Sequence, residues 1–252
     1  MVNFLRKFRW DLIPGSRIRK YLLYALGEII LVVIGILIAL QINTWNNERL
    51  LLIKEKQYLR QIRNDLEEDL RNLEKTLEFN VRKEAAIEDA YRILAYKDPD
   101  SLVRAFSSKM SILPNFEIFI STRTAFDNML NSNSIDLIRD TGLRQALSIY
   151  YSELDLEYST QGRVVLSNRK FVDDISPMIT TREFINQVMS ASLDIPDNAS
   201  VSIQNDPRTI GNLFQLYMST IAQDSYLIDT RTETEKLIGL IDSYLQITQG
   251  NE

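Results

Sequence analysis

The ionisable side chains of this chain are carboxylates, amines, guanidinium groups and phenols, because its 252 residues include no histidine and no cysteine. The missing histidine removes the commonest general base and metal ligand, and the missing cysteine removes thiolate nucleophiles and disulfides. The usual catalytic triads and zinc sites therefore cannot be built. No glycine-rich phosphate loop occurs in the sequence either. We accordingly predict a protein that is not an enzyme and that has no cofactor and no metal.

Carboxylates remain the candidates for chemistry, and they form two clusters in the sequence. The clusters are Asp65, Glu67, Glu68 and Asp69, and then Asp173 with Asp174. Successive residues of a helix point in different directions, so neighbouring carboxylates spread around it. We therefore interpret the first cluster as a solvated helix face rather than as a metal site or a pair of catalytic carboxylates.

Glu28 is the exception, because it lies within the apolar run Tyr21–Ile42. At 1.5 Å per helical residue this run covers roughly 33 Å, enough to cross a hydrocarbon core of about 30 Å. A charged side chain inside that core costs roughly 2.5–3.5 kcal/mol. Glu28 could contact another helix, serve a proton path, pair with a basic residue of a partner or snorkel towards the headgroups. We favour contact with another helix over the proton path.

The apolar run predicts an uncleaved transmembrane helix over residues 21–43. It is too long for a signal peptide, and no small-residue cleavage site follows it. Residues 1–20 contain six lysine and arginine residues, which favour a cytoplasmic N-terminus. This arm carries a charge of +5 and either lies along an anionic membrane surface or only sets the topology. The remaining residues carry −10, which argues against nucleic acid as a partner.

A long amphipathic stalk is predicted over residues 44–95, where neither glycine nor proline interrupts the helical pattern. Its apolar stripe includes four leucines at a spacing of seven, namely Leu52, Leu59, Leu66 and Leu73. These leucines pack either in the bundle of their own domain or in a coiled coil between chains.

The last element is predicted as a helix over residues 207–249, with Asp206 as its N-cap and Pro207 at its first position. By the rise per residue, it is of similar length to the stalk. We therefore predict that the two helices run antiparallel, with residues 99–205 packed at the membrane-distal end.

Shorter elements lie between the two long helices. Asp140 predicts the start of a helix over residues 141–175, which Pro177 ends. Residues 111–120 are predicted as a loop or short strand, and residues 190–206 as an exposed loop.

Small residues in the span predict self-association. Gly27, Gly35 and Ala39 lie along one side of the helix, where two backbones could approach closely. Glu28 borders the same side and could hydrogen-bond across the interface. The stalk leucines could extend this contact beyond the membrane. The alternative is a monomer whose stalk leucines are covered by its own C-terminal helix.

Two segments carry recognisable motifs. The first segment is Tyr21–Asn43, which contains Gly27-Glu28 and Leu40-Gln41-Ile42-Asn43 and is followed by Trp45-Asn46. The second comprises Thr124–Asn128, Asp136–Ile138 and Leu143–Tyr151. Together they resemble a family of bacterial single-span membrane proteins of unknown function. The resemblance implies a Gram-negative inner membrane and an extracytoplasmic helical domain. It brings no known activity, substrate or catalytic residue.

The predicted fold is all-α, with a basic cytoplasmic arm over residues 1–20, a transmembrane helix over 21–43 and an extracytoplasmic domain over 44–252. We expect a membrane-anchored scaffold or interaction subunit. Its expected partners are the lipid bilayer, a second copy of the chain and another membrane or periplasmic protein. The alternative is a periplasmic sensory, ligand-binding bundle that acts with a separate output protein, and an enzyme ranks third.

Overall fold

A computed structural model describes residues 16–95, 99–156, 158–180, 182–190, 192–194, 203 and 206–249. Within these ranges the chain is helical and contains no strand, which confirms the all-α prediction. The chain divides into two compact units, residues 1–55 and residues 56–252.

Seven α-helices and one short 3₁₀ helix lie in the described ranges. They are α1 Ser16–Ile93, α2 Pro99–Lys109, α3 Thr124–Asn131, the 3₁₀ helix Ile135–Leu137, α4 Thr141–Leu156, α5 Tyr158–Ile179, α6 Arg182–Met189 and α7 Pro207–Gln249. Helix α1 has 78 residues and α7 has 43. Helix α1 contains no proline, and the only proline of α7 is its first residue, Pro207. Proline is the residue that most strongly interrupts a helix.

In the described part of the first unit, every side chain from Arg19 to Leu51 is exposed. This segment of α1 contains the apolar run, and its length and composition suffice to cross a membrane. Single exposed apolar residues are common on protein surfaces. A continuous exposed apolar run of this length is unusual for a surface in water.

The second unit has its own apolar core, which forms two large clusters. The first cluster contains, among others, Leu59, Ile62 and Leu66 of α1, Phe126 and Met129 of α3, Leu147 and Tyr151 of α4, and Leu237 and Ile241 of α7. The second contains Ile87 and Ala90 of α1, Phe106 of α2, Phe171 and Ile175 of α5, and Leu213 and Leu216 of α7. A smaller cluster consists of Leu73, Phe119 and Leu227.

Two predicted helix starts are confirmed by their capping contacts. The backbone N–H of Leu143 donates to the Asp140 carboxylate at 2.9 Å, and that of Arg208 donates to the Asp206 carboxylate at 3.0 Å. An acidic side chain at this position satisfies a backbone donor that has no partner inside the helix. The predicted bounds of the last helix, Pro207 and Gln249, are also those observed.

The predicted helix over residues 141–175 is described as α4, Thr141–Leu156, and α5, Tyr158–Ile179, and residue 157 between them lies outside the described residues. The prediction that Pro177 ends this helix is wrong, because Pro177 lies inside α5, which continues to Ile179. A proline this close to a helix end disturbs little, because few further turns depend on its missing hydrogen bond.

Of the two predicted loops, the first agrees with the structure and the second differs from it in part. Residues 110–114 form a turn, and residues 115–123 have no regular structure, so the loop alternative holds and no strand forms there. Most of residues 190–206 lie outside the described residues. Within that stretch Ile203 is fully buried, because it packs into the second core cluster.

Candidate functional site

Residues 115–122, which we call the strap, connect the turn after α2 to the segment that enters α3. Among the described residues no strand lies beside the strap, so a sheet cannot satisfy its backbone groups. Buried backbone N–H and C=O groups nonetheless need partners. Buried polar side chains from α1, α5 and α7 supply them.

Lys83 of α1 holds the first end of the strap. Its Nζ atom donates to the backbone oxygen of Asn115 at 2.6 Å and to the side-chain oxygen of Asn168 on α5. Lys83 and Asn168 are each 1% exposed. Burial lowers the pKa of the Lys83 amine to about 7, because removal from water disfavours its charged form.

Two glutamines hold the middle of the strap. Gln161 of α5 accepts from the backbone N–H of Phe119 at 2.6 Å and donates to the carbonyl of the same residue at 2.7 Å. Gln223 of α7 donates to the carbonyl of Glu117 at 2.9 Å. The paired contacts of Gln161 replace the two hydrogen bonds that a neighbouring strand would make.

Asp69 of α1 holds the second end of the strap. Its carboxylate accepts from the backbone N–H of Thr122 at 2.6 Å and from the hydroxyl of Ser121 at 2.7 Å. Asp65, one turn away, accepts from the backbone N–H of Ala125 at 2.8 Å and so caps the start of α3. Asp69 is fully buried, and this burial raises the pKa of its carboxyl group to about 6. The solvated-face interpretation of this acidic cluster is therefore wrong for Asp69, because the strap covers it.

A second polar group lies beside the strap contacts. Asn80 of α1 donates to Gln223 at 3.0 Å and to the Asp224 carboxylate at 2.7 Å. Burial and then the nearby Asp224 raise the pKa of Glu84 to about 7. Two carboxyl groups this close favour holding one proton between them.

This arrangement can bind and release protons near neutral pH and can position the strap. Lys83 and Asp69 are buried and bond to backbone atoms of the strap. Among the described residues, no group of three or more acidic side chains is placed to hold a metal ion.

A cleft of about 440 Å³ lies between α4, α5 and α7. Its lining includes Tyr150, Glu153, Arg163, Tyr226, Asp229 and Glu233. The phenol of Tyr150 shares a hydrogen bond of 2.9 Å with the hydroxyl of Thr234. Carboxylates outnumber the single guanidinium group, so the cleft favours a cationic ligand over an anionic one.

The residues predicted to pack the membrane helix lie in the first unit. Gly27, Glu28, Gly35 and Ala39 are all exposed. Apart from the neighbouring backbone of the same helix, a Cβ atom placed on Gly27 or Gly35 would meet no atom of the described residues within 4 Å. Another helix therefore has room to approach at both positions.

The predicted stalk leucines occupy different environments. Leu59, Leu66 and Leu73 are fully buried by the chain's own residues, and Leu52 is half-buried. The burial of these leucines agrees with the alternative in which they pack in the bundle of their own domain.

Lys83, Gln161 and Gln223 were not predicted as site residues. The available signal was the spacing along α1: the three- and four-residue steps that join Leu59, Ile62 and Leu66 continue to a set of polar residues. That set is Asp69, Thr76, Asn80 and Lys83, all of them buried. Gln161 and Gln223 carry no comparable signal in the sequence.

The fold and the site define a helical protein with one candidate membrane span and a helical bundle that clamps an internal strap. The sequence model of a family described as "Family of unknown function (DUF6090)" matches residues 28–188. This match covers more than half of the chain, so the protein belongs to that family. The matched range includes Asp69, Lys83 and Gln161. Comparisons with curated proteins and with solved structures gave no match.

Proposed function

We propose that this protein is a membrane-anchored, non-enzymatic interaction subunit. The observation that carries the proposal is the fully exposed apolar run Tyr21–Ile42 on α1. Lipid is the solvent in which such a run is stable, whereas in water it would drive aggregation. The second unit encloses its own core, so the anchor is not needed to complete the fold of residues 56–252.

The proposed location is a bacterial inner membrane, crossed once, with the N-terminus in the cytoplasm and residues 44–252 in the periplasm. The basic excess before the span supports this orientation. A periplasmic and a cytoplasmic reporter, each fused to the C-terminus, test it. We expect activity from the periplasmic reporter, and activity from the cytoplasmic reporter alone would reverse the orientation.

The proposed domain architecture pairs the stalk part of α1 with α7 in antiparallel fashion. Contacts within the second unit support it. As the residue numbers increase along α1, those of the contacting residues decrease along α7. Lys56 donates to the carbonyl of Thr248 at 3.1 Å, the Arg63 guanidinium meets the Asp242 carboxylate at 2.5 Å, and Tyr91 donates to the carbonyl of Ile210 at 3.2 Å. Disulfides engineered at matched positions of the two helices would test the pairing in membranes.

Self-association through the membrane helix is the second part of the proposal. Gly27, Gly35 and Ala39 form its close contact, and Glu28 adds a hydrogen bond across it. The open space around Gly27 and Gly35 supports this assignment. Because Leu59, Leu66 and Leu73 are buried within their own unit, they are not assigned to the contact between copies.

Crosslinking in native membranes tests the self-association. Replacement of both Gly35 and Ala39 by leucine should weaken the dimer band strongly, and Glu28→Leu should weaken it less. Val33→Leu, on the opposite side of the helix, is the matched control and should leave the band unchanged. A monomeric mass in mild detergent together with absent crosslinks would contradict the proposal.

A sensory, ligand-binding bundle is the second candidate function. The cleft of about 440 Å³ between α4, α5 and α7 favours it, because its size suits a small molecule. Native mass spectrometry of the purified full-length protein separates the two candidates. A co-purifying metabolite that is lost in Asp229→Asn supports the sensor, and a stable protein partner without a metabolite supports the interaction subunit.

A further inference from the structure

Lys83 is a buried amine whose position couples it to the strap. It is 1% exposed, and its two hydrogen bonds go to neutral oxygens, the Asn115 carbonyl and the Asn168 side chain. Among the described residues, no carboxylate forms an ion pair with it. A buried ammonium group without a counter-ion is costly, and its amine form is correspondingly favoured.

The charged groups around Lys83 are occupied elsewhere. On α1 and α7, Glu84 faces Asp224, which accepts from Asn80. On the strap, the Glu117 carboxylate lies 3.9 Å from the Lys75 amine. On α2, Lys109 contacts Asp89 at 2.8 Å. Helix α5 presents only the neutral Asn168 to the Lys83 amine, so no element packed around it supplies a compensating charge.

We propose that Lys83 is a proton-sensitive latch for the strap: loss of its proton tightens the strap against α1, α5 and α7, and gain of the proton loosens it. Release of the strap would remove Phe119 from Leu73 and Leu227 and uncover an apolar, amide-lined groove. The latch therefore controls access to a surface that the closed bundle hides.

The sign of the effect follows from proton linkage. With the strap closed, burial places the pKa of Lys83 at about 7, whereas a released, solvated lysine returns to 10.5. Between these values the open form binds more protons than the closed form, so rising pH favours closure. From pH 7.5 to 9.5 the closed-to-open ratio should rise roughly 70-fold, and below pH 7 the lysine adds little further change.

The chosen pH window isolates Lys83 from its ionisable neighbours. The pKa of Asp69 is about 6, so its carboxyl group is ionised throughout the window. The pKa of Glu84 is about 7, so Glu84 completes its titration near the lower end of the window. Glu84 in addition contacts Asp224 rather than the strap.

Hydrogen–deuterium exchange of the full-length protein in lipid nanodiscs tests the latch. Exchange is followed at pH 7.5, 8.5 and 9.5, with labelling times scaled to the intrinsic chemical rate at each pH. The reporting peptide covers the strap, whose Phe119 and Thr122 amides are hydrogen-bonded when it is closed. A peptide from α7 over residues 236–245 is the internal reference. We expect strap protection to rise roughly 70-fold across the window, with a much smaller change in the reference.

Two variants assign the effect to Lys83. Lys83→Met keeps an unbranched side chain, one atom shorter, that cannot titrate, so strap protection should become independent of pH. Asn168→Asp adds a counter-ion that keeps the ammonium charged, so it should also flatten the profile within this window. The matched control is Lys75→Met, at an exposed lysine on the same helix that also approaches the strap, and it should behave like the unmodified protein.

The unmodified protein alone can overturn the latch, even if a variant fails to fold. Strap protection that changes less than twofold from pH 7.5 to 9.5 contradicts it. An equal rise in the strap and in residues 236–245 also contradicts it, because Lys83 would then report unfolding of the whole unit. The same slope in Lys83→Met as in the unmodified protein would remove Lys83 from the explanation.

Discussion

The two ends of α1 reverse the usual relation between polarity and burial. Towards its N-terminus, the apolar run Tyr21–Ile42 is exposed, whereas further along the same helix Asp69 and Lys83 are almost completely buried. In water, apolar side chains are the ones that become buried, and charged ones stay outside unless they have partners. Each end therefore needs an additional component: lipid around the run, as the proposed anchor requires, and specific hydrogen-bond partners around the charges.

The two components differ in how they depend on single residues. Transfer into lipid is non-directional and adds up over many side chains, so exchange of one apolar residue for another changes little. The contacts of Asp69 and Lys83 are directional, and each satisfies one named backbone group of the strap. We therefore expect the run to tolerate apolar substitutions and the strap contacts to tolerate almost none.

The largest expected effect comes from placing charges in the run. Ile34→Arg combined with Leu37→Arg should abolish stable membrane insertion, because each arginine near the bilayer centre costs roughly 2.5–3.5 kcal/mol. The measurement is the fraction of protein retained in the membrane pellet after alkaline extraction. Val81→Arg, at a side chain that is 65% exposed in the second unit, is the control and should be retained. Full retention of the double variant would break the proposed contrast between the two ends of α1.

Removal of a strap contact should give the next largest effect. Gln161→Leu leaves both the N–H and the carbonyl of Phe119 without their side-chain partners. Each unsatisfied buried group costs roughly 1–3 kcal/mol, so the free energy of unfolding should fall by about 3 kcal/mol. Denaturant unfolding of the full-length protein in detergent, followed by circular dichroism, measures this.

The control for that experiment is Gln215→Leu, at an exposed glutamine of α7. A surface substitution of this kind should change the free energy of unfolding by less than about 0.5 kcal/mol. Equal effects of the two glutamine variants would show that the strap contacts add no specific stability.

Asp69→Asn should change how stability depends on pH. Burial raises the pKa of Asp69 to about 6, above its ordinary value of 3.8. Between these values the folded state binds more protons than the unfolded state, so this group lowers stability as pH rises from about 4 to 6. The asparagine variant lacks this loss, so its stability relative to the unmodified protein should rise by about 2 kcal/mol over that interval.

Denaturant unfolding of both proteins at pH 4, 5, 6 and 7 tests the Asp69 prediction. The difference between them is the quantity to follow, since the other carboxyl groups affect both proteins equally. A difference that stays constant with pH would mean that folding does not raise the pKa of Asp69, because the hydrogen bonds from Ser121 and Thr122 offset its burial.

The smallest expected effect concerns the cleft. Tyr150→Phe removes the hydrogen bond to Thr234, but the Thr234 hydroxyl keeps a bond of 2.7 Å to the carbonyl of Thr230. No buried group is then left unsatisfied, so the cost should be only about 0.5–1 kcal/mol. The thermal midpoint of the full-length protein, compared with that of the exposed-site control Tyr24→Phe, measures it. A loss near that of Gln161→Leu would mean that Tyr150 holds more of the structure than its one hydrogen bond.

Local patterns in the sequence were sufficient for the long helices and for two capped helix starts. The apolar run predicted a helix that could cross a membrane, and Asp140 and Asp206 predicted two helix starts, because capping involves residues only two or three positions apart. The regular spacing of Leu59, Ile62 and Leu66 likewise predicted one packed face of α1. These features depend on neighbours along the chain, so the order of residues determines them.

Only the tertiary structure determined the strap and the side chains that hydrogen-bond to it. Gln161 and Phe119 are 42 positions apart, and Gln223 and Glu117 are 106 apart, so no local pattern pairs them. Residues 115–120 alternate apolar and polar side chains in part, which is typical of a strand, yet no strand forms in the described residues. The reason is physical: a strand needs a neighbouring strand for its backbone groups, and here side chains from three helices satisfy those groups instead. Burial of Asp69 and Lys83 follows from the same arrangement. Each lies on the packed face of α1, and its ionisable group there bonds to a backbone group of the strap.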